Sequence, residues 1–139
     1  MDPQVWGPGA WRFLHSVTLQ YPLKPTYTDK KNYADFFTML QYVLPCPTCQ
    51  EHYKKNLKMY PIQTETRDKL VAWLVHIHNQ VNLSNGKRLW SLDEFYKHYQ
   101  ELYTIRAPFT IYHLLMILMG LCILYIFWKN MNTPQSPPF

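Results

Sequence analysis

Cysteine is scarce in this 139-residue chain, and each of several other shortages excludes something. Three cysteines are too few for the disulfide-stapled scaffold of a small secreted protein. Four glycines without a triplet period exclude a collagen-like chain. No segment alternates apolar and polar residues as a half-buried strand would, and no internal repeat is found. Like charges never run beyond the pairs Lys30-Lys31, Lys54-Lys55 and Lys87-Arg88. The excess of 14 basic over 9 acidic residues is therefore scattered, without the concentrated patch expected of a nucleic-acid binder, and no nucleic-acid partner is expected. The N-terminal MDPQVWGPGAW has neither a basic region nor an apolar core, so it is not a cleavable secretory signal.

What is present is aromatic: 5 Trp, 11 Tyr and 7 Phe in a length typical of one domain. The clearest boundary lies near Pro108. Residues 109–128, FTIYHLLMILMGLCILYIFW, contain no Asp, Glu, Lys or Arg and match the length of a membrane-crossing helix. Arg106 and Lys129 bracket the run, Thr110 and His113 lie near one end, and Tyr112, Tyr125 and Trp128 suit the interfacial belts. Cys122 falls inside it and reads as an apolar residue. Residues 129–139 form a short Pro-rich tail. Lys97 and Arg106 before the span against Lys129 after it place residues 1–104 weakly on the cytoplasmic side.

Residues 1–104 read as helices divided by prolines. Pro8 opens a first helix through Gln20, with Trp11, Leu14 and Thr18 at helical spacing. Asp29 caps a second, whose apolar face of Tyr33, Phe36, Phe37, Leu40, Val43 and Leu44 is interrupted by Pro45. A third runs from the C-P-T-C segment to Tyr60. A fourth covers roughly Arg67 to Leu83, with Leu70, Trp73, Leu74, Ile77 and Val81 inward, and Asn85-Gly86 closes it. Ser91 and Glu94 make a capping box for a short fifth helix through Tyr103.

The sharpest chemical feature is Cys46-Pro-Thr-Cys49. Two intervening residues at a helix start bring the thiols within bridging reach, and the positive end of the helix dipole favours a thiolate at Cys46. Such a pair exchanges electrons with another dithiol through a mixed disulfide. The same residues allow a zinc reading, with Cys46, Cys49, His52 and either His76 or His78 as ligands, although the usual paired spacing is absent. A thioredoxin-like reading conflicts with the helical pattern that precedes the motif. A second constellation gathers Trp6, Gly7, Trp11, His15 and Tyr21 on or beside the first helix with Trp73, His76, His78, Asn79 and Asn82 on the fourth. Its aromatic faces, imidazoles and amides could hold a planar heterocycle, or could be a bundle core with satisfied polar groups.

Four ordered motifs carry a resemblance: WGPGAWRFLH at 6–15, PCPTC at 45–49, WLVHIHNQVN at 73–82 and GK at 86–87. In order and interval they resemble the Erv/ALR family of FAD-linked sulfhydryl oxidases. The resemblance implies an all-α fold: a four-helix bundle with an additional short helix that holds FAD non-covalently, here followed by the C-terminal transmembrane helix. It implies catalytic roles for Cys46, as the outer interchange thiol, and Cys49, as the inner thiol beside the flavin. Gly7, Trp11, His15, His78, Asn79, Asn82, Lys87 and Tyr99 would bind the cofactor, and no metal is implied. The implied partners are a dithiol protein, molecular oxygen yielding hydrogen peroxide, and a second copy of the chain in a non-covalent dimer through the first two helices.

Departures sharpen the expectation. Val75 and Leu92 stand where many members align a bracing pair of cysteines, and no second, shuttle pair exists, so a separate shuttle protein would take that role. In this minimal form the chain is similar to the oxidases encoded by large DNA viruses, which implies work in the host cytoplasm for virion proteins, anchored in a host or virion membrane. The rival expectation is a non-catalytic, tail-anchored zinc or scaffold module.

Overall fold

The computed structural model describes residues 1–104 and 111–132, with side chains from Tyr112 onward in the second stretch. Arg106, Pro108, Phe109, Thr110 and the Pro-rich segment after Asn132 lie outside the described residues. Six helices and no strand occur among the described residues: α1 (Pro3–Leu19), α2 (Tyr27–Val43), α3 (Pro47–Met59), α4 (Arg67–Ser84), α5 (Leu92–Thr104) and α6 (Ile111–Asn132). The fold is all-α, as the periodicity implied. Two compact units divide the chain within α5, Met1–Tyr96 and Lys97–Phe139.

In the first unit α1 pairs with α4 and α2 with α3. α1 starts five residues before Pro8, because Asp2 caps it by accepting from Gln4 N at 2.8 Å and Pro3 occupies the first turn. A proline in the first turn forfeits only an N–H that has no helical acceptor, whereas Pro8, inside the helix, removes a bond. The cap of α2 is likewise Thr26 rather than Asp29. The threonine hydroxyl accepts from Asp29 N at 3.2 Å while the Asp29 carboxylate accepts from Thr26 N at 2.8 Å, so Asp29 is the reciprocal partner in a capping box. Ser91 and Glu94 form the expected box at α5.

One core joins the four helices. Leu14, Tyr21, Phe37, Tyr53, Leu70, Trp73, Leu74 and Ile77 are buried together. α4 is its centre: Val71 and Val75 are buried beside the expected stripe, so most of its circumference is covered. Three polar ties, one buried and two partly buried, brace the packing. Tyr53 donates its hydroxyl to Phe37 O at 3.0 Å, Trp73 Nε1 donates to Tyr60 O at 2.9 Å, and Tyr21 donates its hydroxyl to Thr64 O at 2.7 Å. Arg67 Nε also donates to Tyr21 O, so the end of α1 is fastened to the start of α4.

In the second unit, α6 carries a 21-residue stretch of mean hydropathy 1.9, long and apolar enough to cross a membrane, with none of it buried in protein. It continues past the expected Trp128 to Asn132, whose side-chain amide donates to Trp128 O at 2.9 Å. Lys129 in this last turn complements the negative end of the helix dipole.

Candidate active site

Cys46 is the N-cap of α3, with extended backbone (φ −149°, ψ 114°), and Pro47 follows in the first turn. Its Sγ accepts from Cys49 N at 3.2 Å. The two cysteines are joined as a disulfide with their Cα atoms 5.1 Å apart, inside the range a bridge requires. Both are half-buried, between the exposed Pro45, Pro47 and Thr48. The pair is thus reachable by another protein's thiol and sits on the positive end of a helix.

The second constellation forms where α1, α4 and the start of α5 meet. Trp11 stacks on His78 with centroids 4.0 Å apart and planes 9° from parallel. His15, one turn from Trp11, lies 3.0 Å from His78, Nε2 to Nδ1, so one ring donates and the other accepts. Phe95 covers His15 at 4.8 Å. Burial pushes the His15 pKa down to about 3, with the neighbouring His78 adding to the effect. Burial also pushes His78 down to about 4, helped by the Lys87 ammonium. Both imidazoles are neutral at physiological pH.

The remaining expected residues are placed in different ways. Asn82 is buried near the end of α4, and its carbonyl accepts from Lys87 N at 2.8 Å, so the turn through Gly86 returns the exposed Lys87 towards its own helix. Gly86 has φ +63°, the left-handed conformation that favours glycine at a helix end. Asn79 turns its side chain to the backbone of Trp90, donating Nδ2 to Trp90 O at 2.8 Å and accepting from Trp90 N at 2.9 Å. Its amide therefore ties the α4–α5 connection. Gly7 is one turn from Trp11 on α1, and a Cβ built there would meet no protein atom within 4 Å. Tyr99 is buried on α5 in the second unit, next to the rings of His98 and Tyr103.

Sequence patterning missed Phe95 and Trp90. Phe95 could have been found as the first apolar residue after the capping-box glutamate, since that position faces inward at the start of α5. His76 stands apart from the histidine pair: it is exposed, packs edge-on to Tyr60 at 4.3 Å and lies 3.3 Å from the Gln80 amide. His52 is also exposed, and no cluster of three or more His, Cys, Asp or Glu side chains able to hold a metal ion occurs among the described residues. The zinc reading thus lacks a ligand set there.

The cluster has the chemistry a flavin nucleotide requires. Trp6 Nε1 is buried without a hydrogen-bond partner among the described residues, beside a glycine whose Cβ position is open. A buried donor left unmatched by protein costs stability unless a ligand or water accepts from it. The imidazole pair is uncharged, aromatic and fixed, and Lys87 supplies a positive charge at the surface. Trp11 and His78 already fill each other's inner faces, so a planar ligand would meet their edges or outer faces.

The sequence profile of the Erv1 / Alr family matches residues 8–101. A protein of Acanthamoeba polyphaga mimivirus described as a probable FAD-linked sulfhydryl oxidase is 42% identical over 97 residues, 68% of each chain. The FAD-linked sulfhydryl oxidase ERV1 of Arabidopsis thaliana is 41% identical over 81 residues, 58% of this chain but only 42% of the plant protein. Among solved structures, the FAD-binding domain of Erv1 from Saccharomyces cerevisiae superposes with a TM-score of 0.69 at 29% identity, covering 73% of this chain and 96% of that one. The yeast Erv1 core gives 0.68 at 28% identity over 70% and 83%.

Proposed function

The chain belongs to the Erv1 / Alr family, and from that premise we propose that it is an FAD-linked sulfhydryl oxidase whose working pair is Cys46 and Cys49. The observation that carries the proposal is the closed Cys46–Cys49 disulfide at the N-cap of α3, within reach of an incoming thiol. A substrate thiolate attacks Cys46 Sγ, the bond to Cys49 breaks, and a mixed disulfide forms with Cys49 leaving as a thiolate. The second substrate thiol then attacks the mixed disulfide, so the substrate departs oxidised and both protein cysteines are reduced. FAD, when bound, supplies the two-electron acceptor that reoxidises the pair and hands the electrons to oxygen as hydrogen peroxide.

The roles of the chain's own residues follow from their geometry. The Cys49 N–H and the dipole of α3 stabilise negative charge on Cys46. The neutral His15–His78 pair, Trp11 and the Trp6 N–H present a rigid aromatic and hydrogen-bonding wall to the cofactor, and the open Gly7 position leaves room for close approach. Asn82 and Lys87 serve it through the turn that ends α4. Asn79 contributes by holding that connection to Trp90. Tyr99 remains the proposed aromatic contact on α5.

Setting and partners complete the reading. α6 anchors the protein in a membrane, with the oxidase domain on the cytoplasmic side. The substrate is a dithiol protein, and a separate shuttle stands in for the missing second cysteine pair. Similarity to the mimivirus protein supports a viral pathway that oxidises virion proteins in the host cytoplasm. A second copy of the chain covers the exposed apolar residues Phe13 on α1 and Met39, Tyr42 and Val43 on α2, without any covalent link.

The visible spectrum of the purified full chain tests the proposal. Bound flavin absorbance is expected, and a folded, colourless protein that takes up no added FAD would refute it. Cys46→Ser and Cys49→Ser should each keep the flavin and lose at least 100-fold of dithiol-driven oxygen consumption, roughly the scale of removing a nucleophile. Undiminished turnover in either variant would remove the assigned roles.

A further inference from the structure

We propose that Gln50 is a positioning residue for the Cys46–Cys49 pair, its side-chain amide locking the end of α2 to the first turn of α3 and so holding Cys46 as the N-cap. The proposal rests on the oxidase reading of the pair. It begins from a shortage of donors. A helix ends with carbonyls that have no partner within the helix. At the end of α2, Leu44 N satisfies Leu40 O at 3.1 Å, but the next residue is Pro45, which has no N–H to give.

Gln50 brings side-chain donors to these terminal carbonyls. Its Nε2 donates to Leu44 O at 2.8 Å and approaches Tyr42 O at 3.3 Å. Its backbone N–H donates to Cys46 O at 3.0 Å, the opening bond of α3. Cys46 N in turn donates to Leu44 O at 2.8 Å. Leu44 O is therefore the hub of the corner, accepting from the backbone of the outer cysteine and from the side chain of the residue next to the inner one. Gln50 is half-buried, so these bonds are partly shielded from water.

The arrangement matters to the redox pair because the stabilisation of a Cys46 thiolate depends on orientation. Its Sγ meets the Cys49 N–H only while Cys46 keeps its extended cap conformation at the head of α3. Without the Gln50 amide, the corner keeps one bond at Leu44 O and the cap is free to rotate away. The reduced pair then loses part of its thiolate stabilisation, and the disulfide becomes harder to reduce.

The test uses the full chain with its flavin, held without oxygen in mixtures of reduced and oxidised dithiothreitol, with alkylation and mass spectrometry resolving Cys46 from Cys49. Gln50→Met removes the donor while keeping the shape. Gln50→Asn keeps an amide but is one methylene too short to reach Leu44 O. Both variants should retain flavin absorbance, alkylate Cys46 about fivefold more slowly at pH 7 and favour the disulfide by about the same factor, the equivalent of one net hydrogen bond. The pH profile of Cys46 alkylation should move to higher pH. A lowered melting temperature with an unchanged alkylation profile and redox equilibrium in either folded variant would overturn the proposal. If Cys49 rather than Cys46 is the faster thiol in the unmodified protein, the assignment of the outer cysteine fails instead, whatever the variants do.

Discussion

Acidification should destabilise this protein through its histidine pair. His15 and His78 sit at about 3 and about 4, against an ordinary value of 6.5 that the unfolded chain restores. Above pH 6.5 both states hold neutral rings and the pair imposes no pH dependence. Below it the unfolded chain binds protons that the folded one refuses, so stability falls as pH drops from 6.5 towards about 4, where the folded rings begin to titrate. At pH 5 the gap from the unfolded value costs about 2 kcal/mol per ring, or about 4 kcal/mol for the two. That is a large share of the roughly 5–15 kcal/mol that holds a typical domain together. Because the rings share a hydrogen bond, the first proton breaks the donor–acceptor arrangement and the pair titrates as a unit. Urea unfolding followed by tryptophan fluorescence at pH 7.5 and pH 5.0 measures the loss. His78→Gln keeps an amide within reach of His15 but removes one proton acceptor, so its loss between the two pH values should be about half that of the unmodified chain. Equal losses in the two proteins, or no loss in either, would refute the assignment of neutral buried imidazoles.

Two substitutions test the frame that carries the site. Tyr53→Phe removes the buried hydroxyl that donates to Phe37 O at 3.0 Å and so ties α3 to α2, while the Phe37 carbonyl keeps its place in the α2 ladder. It should cost about 0.5–1.5 kcal/mol in urea unfolding while the flavin stays bound, and a neutral result would show the bond to be dispensable. Gly86→Ala places a Cβ on a residue with φ +63°; nothing crowds the site, so the penalty is conformational, about 1 kcal/mol. Its readout is the melting temperature together with the FAD dissociation constant, because the same turn delivers Lys87. An unchanged melting temperature would refute the strain argument.

The features legible in the sequence are those encoded by neighbouring residues. Asn85-Gly86 marked the end of α4 because glycine suits the left-handed step, and Ser91 with Glu94 marked α5 because the two side chains satisfy each other's backbone donors. The helix-start position of Cys46 was legible for the same reason. Competing local signals misled where two prolines or two cap formers lay close together: Asp2-Pro3 outcompeted Pro8, and Thr26 took the cap from Asp29. Long-range pairings left no local trace. Neither the stacking of Trp11 on His78 nor the reach of Gln50 back to Leu44 O follows from helical periodicity, because each depends on how two helices meet.

Asn79 has a structural tie that its residue type alone does not announce. In the sequence an amide beside His78 on the fourth helix reads as a ligand contact, and in the structure both of its polar atoms meet the backbone of Trp90. Asn79 lies one turn beyond Val75, and Trp90 two residues before Leu92, the two positions where the family resemblance implies a bracing cysteine pair in many members. The amide thus ties α4 to the approach of α5 close to where a covalent brace would otherwise act. Two exposed hydrogen bonds contribute about 1 kcal/mol each at most, whereas a disulfide contributes about 2–4 kcal/mol. The tie is weaker, but it survives reduction. For an oxidase proposed to work in the cytoplasm, where thiols are kept reduced, a brace made of an asparagine amide persists under conditions that would open one made of sulfur.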